Sequence, residues 1–292
     1  MASFAAAPTG NASIRAKAGD SDIIITTTQR LAGAIHSLTF RGVEYINSTD
    51  HGRQLQSASN LNLATHPYHS ETFNPTEAGS RSDHIGPISS SKLLKLEAKG
   101  NELKTTIQMA FWLRPGEKSE GHPAINKTVL SDHLIAKHVT IGTKDMAQVI
   151  QYDVTFTVPK GEHHTWAQFE ALTGYMPQAF SKFYRYVPAK KELEPISEGP
   201  GEQQHPIIFS TPDGRHAMGI YSPDQPSKGF EHAGYGRWNF KEHRVVKWNC
   251  VFRVKDNEGV KPGDYSYRNF VLVGTLEEVT RDMSRLHEMN KP

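Results

Sequence analysis

The stretch "RVVKWNCVFRV", residues 244–254, decides the fold, because apolar and polar side chains alternate along most of it. Successive side chains of a β-strand point to opposite faces of the sheet. One face of this segment is apolar throughout and includes Trp248, whereas the other face presents Lys247, Asn249 and Arg253. The pattern predicts a strand with one face in the core and one polar face open to a ligand or to solvent.

Eight further segments share this short, β-branched or alternating character and are bounded by turn residues. They are "DIIITTT" (22–28), "AIHSLTF" (34–40), "KLLKLEA" (92–98), "ELKTTIQMAFWL" (102–113), "QVIQYDVTFTV" (148–158), "HPIIFS" (205–210), "HAMGIYS" (216–222) and "YSYRNFVLV" (265–273). Neither a propeller-like period nor a Pro/Gly-rich linker divides the chain. We therefore predict an all-β fold with one large antiparallel sandwich domain over residues 21–292, preceded by a flexible lead-in over residues 1–20.

The C-terminal segment is the exception to the β pattern. Apolar residues recur at intervals of three and four from Leu276 to Leu286, which is the spacing of one helix face. Thr275 followed by Glu278 forms the pattern of a capping box at the start of a helix. The sequence therefore predicts one short C-terminal helix.

The composition is that of an ordinary globular protein, with 37% hydrophobic and 22% charged residues among 292. No apolar run approaches the roughly 20 residues of a membrane-spanning helix. A net charge of +2 is too weak to indicate nucleic-acid binding, and the single cysteine, Cys250, excludes an intramolecular disulfide and a cysteine-cluster metal site. We therefore predict no nucleic-acid partner and no membrane partner, and a homo-oligomer stays open.

The N-terminal segment "MASFAAAPTGNASIRAKAGD" is rich in Ala, Gly and Ser but lacks the apolar centre of a secretion signal. A mature secreted protein placed after a start methionine has this character. Sequons at Asn11, Asn47 and Asn126 are also compatible with export. We therefore expect a secreted or periplasmic protein, with a cytoplasmic location as the alternative.

The densest polar loop is "HPYHSETFNPTEAGSRSDH", residues 66–84, which holds His66, His69 and His84. Imidazoles titrate near neutral pH, so we assign His66 and His84 to catalysis and His69 to substrate binding. A proline and a glycine flank Glu77 and restrict its backbone, which makes it our first choice for a catalytic carboxylate. The histidine spacing matches no zinc motif, so we predict no metal and no cofactor. A solvated turn and a bound metal ion are the alternative interpretations.

Basic and amide side chains elsewhere in the chain are candidates for holding a substrate. Arg53, in "DHGRQLQ", has a planar guanidinium that can grip a carboxylate or two hydroxyls, and a salt bridge to Asp50 is its structural alternative. Arg237 lies in the aromatic segment "HAGYGRWNF", and Lys247 and Asn249 lie on the polar strand face described above. If that face lines a cleft, these side chains position a substrate.

Two segments resemble the galactose mutarotase-like superfamily. "RLAGAIHSLTFRGVEYINSTDHGRQLQSA" (30–58) is similar to its early strand pair and polar loop, and "GVKPGDYSYRNFVLVGT" (259–275) is similar to a turn and strand of aldose 1-epimerases. The resemblance covers almost the whole chain and implies a β-supersandwich with a sugar site on its concave face. It also implies that Asp264 lies over the sugar ring and that His163 or His164, in "EHHTWAQFEALTGYM", donates a proton.

The resemblance implies a carbohydrate substrate as the partner, and an acidic glycan is one candidate. The Asn-His-x-Tyr-Phe segment of the epimerases has no counterpart here, so we favour a lyase that performs β-elimination on a uronate-containing glycan. A lyase needs a cation to neutralise the C6 carboxylate and a base near the C5 proton. Arg53, His66, His84 and Tyr175 are the residues assigned to these roles.

Two other functions stay open at this point. An aldose 1-epimerase would use His164 to donate a proton to the ring oxygen and Asp264 or Glu77 to remove the anomeric proton. A non-catalytic carbohydrate-binding module would use the same arginine, asparagine and aromatic side chains without proton transfer, since sugar rings pack on aromatic faces.

These assignments depend on one spatial expectation. The polar loop at 66–84 and the polar face of the strand at 244–254 must meet around a single sugar-sized hollow. Loops carry chemistry more often than the strands that support them, and strand residues are held more rigidly. A structure with the two segments on opposite sides of the molecule would contradict the hypothesis.

Overall fold

Antiparallel strands dominate the computed structural model, which describes residues 8–64, 66–143 and 145–290. The strands, in chain order, are β1 (Ala12–Ala18), β2 (Ser21–Thr27), β3 (Ile35–Phe40), β4 (Val43–Glu44), β5 (Leu55–Leu61), β6 (Pro75–Thr76), β7 (Lys92–Lys99), β8 (Glu102–Phe111), β9 (Lys118–Ser119), β10 (His122–Pro123), β11 (Leu130–Thr143), β12 (Met146–Val158), β13 (Trp166–Pro177), β14 (Lys182–Val187), β15 (Glu192–Pro195), β16 (Gly201–Gln203), β17 (Ile207–Ser210), β18 (Ala217–Tyr221), β19 (Tyr235–Phe240), β20 (Val245–Lys255) and β21 (Gly263–Gly274). One α-helix, α1 (Leu276–Met289), follows the last strand, and the described part also has short 3-10 turns at Gln29–Leu31, Arg81–Asp83 and Lys241–His243.

The strand pairings form two layers. Layer 1 has the hydrogen-bonded order β7-β8-β11-β12-β21-β18-β17-β14-β15. Layer 2 has the order β1-β2-β3-β5-β13-β20-β19-β16. The two-residue strand β6 pairs with β5 on one side and β8 on the other, and so joins the layers. The predicted all-β antiparallel sandwich with a C-terminal helix is confirmed.

Aromatic side chains from both layers meet in the core. Phe252 of layer 2 stacks on Tyr267 of layer 1 with ring centroids 4.0 Å apart, and Phe156 contacts Phe169 across the same interface at 5.0 Å. Trp248 is fully buried in the same core cluster. Because aromatic pairs contribute beyond their buried area, this cluster fixes how the two layers face each other. The apolar face predicted for residues 244–254 is therefore the core face of β20.

A β-bulge in β13 shapes the outer face of layer 2. The partner of Glu170 is Val251, yet the partner of Leu172 is Cys250 and that of Thr173 is Asn249, so β13 has one extra residue here. An extra residue shifts the alternation by one position, so each later side chain lies on the face opposite to the one that a regular strand would give it. Polar residues on both sides of the bulge therefore point away from the core.

Helix α1 lies on the outer face of layer 1. Thr275 and Glu278 form the predicted capping box, and the helix buries Val279, Met283 and Leu286 against β18 and β21. Within the described residues no helix is long and apolar enough to cross a membrane. The helix therefore covers one outer face of the sandwich, and the outer face of layer 2 stays available for a site.

The N-terminal segment differs from its prediction. Residues 12–18 form β1, which pairs along its full length with β2 and buries Ile14 and Ala18. The expectation of a flexible lead-in is wrong for these residues, because their alternating side chains complete the edge of layer 2. Residues 1–7 of the predicted lead-in lie outside the described residues.

Candidate functional site

A cleft of about 440 Å³ opens on the outer face of layer 2. Its floor is made by side chains of β5, β13 and β20, and its walls by β19 and by loops near residues 70–76 and 112–120. The spatial expectation from the sequence is confirmed, because residues from the 66–84 loop and from the polar face of β20 line this same cleft. The loop contributes Ser70, Glu71, Asn74 and Thr76 rather than its histidines.

An ion pair occupies the floor of the cleft. Lys247 Nζ lies 3.4 Å from Glu170 Oε2, and Thr173 Oγ1 donates a hydrogen bond of 2.9 Å to the same oxygen. The ammonium also lies 4.7 Å from the ring centroid of Trp238 and 5.3 Å from that of Tyr175. Cation–π attraction and the ion pair together hold this charged group in one position.

The surroundings fix the protonation states of this cluster. Burial opposes the charged form of Glu170, but Lys247 beside it brings the pKa of the carboxyl below its ordinary value. Burial also opposes the charge of Lys247, but Glu170 and Tyr175 raise the pKa of the ammonium above its ordinary value. Burial raises the pKa of Tyr175. At neutral pH the cleft therefore holds a carboxylate, an ammonium and a neutral phenol.

A second ion pair forms one wall. Both terminal nitrogens of Arg253 donate to the carboxylate of Glu202, at 2.7 and 2.8 Å, and Arg253 Nε donates to Gln168 Oε1 at 3.0 Å. All three nitrogens of the guanidinium thus donate a hydrogen bond. Four glutamates line the cleft against one lysine and one arginine, so its lining carries more negative than positive side chains.

Amide side chains complete the lining. Gln56 donates from Nε2 to the carbonyl of Gly52 at 2.8 Å, whereas its buried Oε1 accepts no hydrogen bond from the described residues. Asn249 Oδ1 accepts from the backbone N–H of Gly236 at 3.1 Å. Because a buried amide oxygen without a donor is costly, Gln56 is a site where a ligand hydroxyl would gain a hydrogen bond.

Glu77, the first choice for a catalytic carboxylate, lies inside the sandwich. It is fully buried, forms an ion pair with Lys137 and accepts a 3.1 Å hydrogen bond from the backbone N–H of Ser57. It does not line the cleft. The prediction that its carboxylate is open to a substrate is therefore wrong, because the carboxylate is paired with Lys137 inside the core.

The loop histidines lie outside the cleft. His66 and His84 are exposed, and the ring of His69 stacks on His122 with centroids 3.5 Å apart. His84 contributes its backbone carbonyl, which accepts a hydrogen bond from the N–H of His51 at 3.0 Å. The structure therefore does not bring these imidazoles to the candidate site.

The residues that the family resemblance assigned to proton transfer are also elsewhere. His164 is fully buried and faces Glu162, 2.9 Å from its Nε2. Asp264 is exposed on β21 in layer 1 and accepts a hydrogen bond from Thr157 Oγ1 at 2.7 Å. Because the cleft lies on layer 2, neither side chain reaches it.

Two predicted arginines are engaged in structural contacts. Arg53 forms the salt bridge to Asp50 that was its alternative interpretation, with Nε 3.3 Å from the carboxylate. Arg237 donates to the carbonyl and the hydroxyl of Ser197, at 2.7 and 2.8 Å. Of the predicted site residues, the structure brings Tyr175, Lys247 and Asn249 together in the cleft.

Sequence reasoning missed Glu170, Glu202 and Trp238 as members of the site. A signal for Glu170 existed, since Ala167, Phe169 and Ala171 alternate with polar residues in "WAQFEALTGYM". The bulge breaks this alternation after Glu170, so the segment does not show a simple strand period. No local pattern marks Glu202 or Trp238, because only tertiary contacts bring them to the cleft.

Comparison with known proteins supports the fold. Neither a protein-family model nor a curated protein sequence matches the chain. Solved structures with a similar fold include an alpha-mannosidase from Enterococcus faecalis V583, with a TM-score of 0.52 and 9% identity over 96% of this chain and 32% of that one. A protein in glycosyl hydrolase family 38 from Enterococcus faecalis gives 0.51 and 10% over 96% of this chain and 33% of that one.

A third structure has a length similar to this chain. The Slr1438 protein from Synechocystis sp. PCC 6803 gives a TM-score of 0.50 and 8% identity, covering 94% of this chain and 100% of that one. This chain spans about a third of the length of the two Enterococcus proteins. At such low identity these likenesses establish the fold alone: the chain is an all-β sandwich similar to those three structures.

Proposed function

We propose that the cleft on layer 2 binds a neutral carbohydrate. The observation that carries the proposal is the Glu170–Lys247 pair on rigid strands, with the Lys247 ammonium near the rings of both Trp238 and Tyr175. Sugar rings present apolar C–H faces that pack on aromatic rings, and their hydroxyls both donate and accept hydrogen bonds. A paired carboxylate and ammonium flanked by aromatic faces meets both requirements. The likeness of the fold to an alpha-mannosidase and to a protein in glycosyl hydrolase family 38 also supports a sugar ligand.

The charges of the cleft favour a neutral sugar over a uronate. Arg253 and Lys247 are both paired with carboxylates, and Glu71 and Glu120 add two further acidic groups to the lining. A bound uronate would meet more negative than positive side chains, and like charges at close range disfavour binding. The cleft is therefore poorly suited to β-elimination on a uronate, and Arg53, His66 and His84, which that hypothesis required, do not line it.

A second candidate function is acid–base conversion of the bound sugar at its anomeric carbon. It is favoured by the ionised Glu170 and the neutral Tyr175, which are both in contact with Lys247. Glu170 would accept the proton of the anomeric hydroxyl while Tyr175 donates its proton to the ring oxygen. The ring C–O bond then breaks to give an open-chain aldehyde, and the reverse steps close the ring on either face.

Both candidates are tested with one set of variants. Titration calorimetry and saturation-transfer NMR with neutral and uronate oligosaccharides measure binding, and NMR exchange between anomers measures conversion. We expect Trp238→Ala to weaken neutral-sugar binding, and Tyr175→Phe to slow conversion while sugar is still bound. Tyr265→Phe is the matched control, because Tyr265 lies on layer 1 and donates to the carbonyl of Lys261.

The outcomes separate the two candidates. Binding that is lost in Trp238→Ala, without any anomer exchange above the uncatalysed rate, leaves the binding function and rejects the conversion. Absence of binding to every neutral sugar, or equal binding by the wild type and Trp238→Ala, would reject the carbohydrate site itself.

A further inference from the structure

Three side chains converge at a second place, away from the cleft. His133 Nε2 lies 2.8 Å and His164 Nε2 lies 2.9 Å from the same carboxylate oxygen, Glu162 Oε2. One ligand atom from each of the three residues lies within 4.8 Å of the other two. Two imidazole nitrogens and one carboxylate oxygen form a donor set that binds divalent transition metals in proteins.

The hydrogen bonds of His164 point to a cation at this position. Its Nδ1 faces the backbone carbonyl of Asn62, which only accepts, so Nδ1 carries the proton. In that tautomer the unprotonated Nε2 faces the Glu162 oxygen. Two acceptors repel each other at 2.9 Å unless a proton or a metal ion lies near them.

A bound metal ion would engage all three side chains at once. His133 directs its Nε2 to the same Glu162 oxygen that faces His164, so donor atoms of the three residues converge. Metal-bound histidines usually donate their other ring N–H to a carbonyl or carboxylate, which fixes the ring. The contact from His164 to Asn62 has this form.

The three residues are held rigidly and partly out of water. The side chains of His133 and His164 are 2% and 0% exposed, whereas that of Glu162 is 22% exposed. His133 lies near the start of β11, and the other two lie in the connection between β12 and β13. Phe73 packs against both imidazoles, with ring centroids 6.0 Å and 5.6 Å away. This preorganisation lowers the cost of assembling a metal site.

Access to the cluster comes from a separate hollow. Glu162 lines a cavity of about 520 Å³, to which Ser131 and Asp132 also contribute, and none of its lining residues lines the cleft. A metal held by three protein ligands has a coordination position left for water or a small ligand. The hollow meets the cluster at Glu162, the one of the three side chains that is partly exposed to solvent.

We propose that His133, Glu162 and His164 bind one divalent transition-metal ion of the zinc type. This inference is independent of the proposed sugar site, since the two places share no residue. The ion would connect the start of β11 to the segment that leads into β13, the strand that carries Glu170.

The test uses the full chain after treatment with a chelator. Equilibrium dialysis and calorimetry with zinc chloride should show one ion bound per chain, and cobalt(II) should give visible absorption bands. Glu162→Gln keeps the shape of the partly exposed side chain and should weaken binding at least about 100-fold, more than loss of an outer contact costs. His133→Asn tests a buried ligand, with its fold checked by circular dichroism.

The matched control is Glu102→Gln. Glu102 pairs with His138 at 3.3 Å on the surface, so this variant removes a histidine–glutamate pair for which the described part of the chain offers no third metal ligand. Zinc binding should be unchanged in it. Failure of the wild type to bind zinc or cobalt stoichiometrically, or unchanged binding by folded Glu162→Gln, would overturn the proposal.

Discussion

Glu77 and Lys137 form an ion pair whose two side chains are completely shielded from solvent between the two layers. Lys137 comes from β11 in layer 1, and Glu77 accepts a hydrogen bond from the backbone N–H of Ser57 in layer 2. The lysine ammonium also lies 5.6 Å from the ring centroid of Tyr152. The pair therefore links the layers at a point where apolar contacts would otherwise be expected.

Removal of one partner of this pair should strongly destabilise the protein. Lys137→Met leaves the Glu77 carboxylate buried without a counter-charge, which costs about 3–5 kcal/mol of unfolding free energy. The Glu77→Leu/Lys137→Met double variant leaves no unpaired charge and should recover much of that loss. Urea unfolding measures all three proteins.

A surface pair provides the control for this prediction. Lys104 and Glu102 lie 3.8 Å apart with half of each side chain exposed. Lys104→Met should change the unfolding free energy by no more than about 1 kcal/mol. If Lys137→Met is equally mild, the buried pair does not have the structural role assigned to it.

The Arg253–Glu202 pair should determine whether the cleft accepts an acidic sugar. Glu202→Gln removes one negative charge and frees the guanidinium that Glu202 holds by two hydrogen bonds. Affinity for a uronate oligosaccharide should then rise roughly tenfold relative to the neutral analogue, the ratio that one charge-assisted hydrogen bond provides. Calorimetry at low salt measures both ligands.

A control on another surface separates a local effect from net charge. Glu194→Gln removes the same charge from the Arg185 pair, which is not part of the cleft. It should leave the ratio of the two affinities unchanged. An equal change in both variants would show that Arg253 does not select against acidic ligands.

The capping box of α1 should give the stability a defined acid dependence. Hydrogen bonds from Arg41 and from the N–H of Thr275, opposed by partial burial, lower the pKa of Glu278 from 4.5 to about 2. A carboxyl with a lowered folded-state pKa stabilises the fold fully above its ordinary pKa, and the contribution is lost as the pH falls towards 2. Glu278→Gln should therefore be less stable than the wild type at pH 7, with a difference that shrinks in acid.

Thr275→Ala tests the same cap without changing a charge. Thr275 Oγ1 accepts a hydrogen bond from the N–H of Glu278, and its loss should cost about 1 kcal/mol of unfolding free energy. Thermal unfolding from pH 7 to pH 3 compares both variants. A Glu278→Gln deficit that stays constant over this range would contradict the assigned pKa.

The strands that the sequence revealed are those with apolar inner faces. The 244–254 segment showed its alternation because its core face carries residues such as Trp248 and Phe252. Strand β11 escaped detection although it is the longest of the described strands, because its buried face includes Ser131, His133 and Lys137. In the sequence, polar residues on a core face look like residues exposed to solvent, because the groups that pair with them in the fold come from distant segments.

The site residues show the same limit. Lys247 and Asn249 could be predicted because their face follows from strand geometry alone. Glu77 could not be placed, because its local turn chemistry resembles that of an exposed loop, and its burial depends on Lys137, sixty residues away. Pairings between separate segments, rather than local patterns, decide which polar groups enter the cleft.

Lys247 should control both the affinity of the cleft and its response to acid. Lys247→Met removes the ammonium that lowers the pKa of Glu170, so that only the hydrogen bonds from Thr173 and Asn249 still oppose burial and the pKa of this carboxyl rises. Neutral-sugar affinity should fall at least about tenfold at pH 7. In the wild type, binding should persist as the pH falls below the ordinary pKa of a glutamate, whereas in the variant it should be lost at a higher pH.

Lys255→Met, at the exposed end of the same strand, is the control and should keep the wild-type affinity and pH profile. Identical pH profiles for Lys247→Met and the wild type would show that the ionisation of Glu170 does not govern binding.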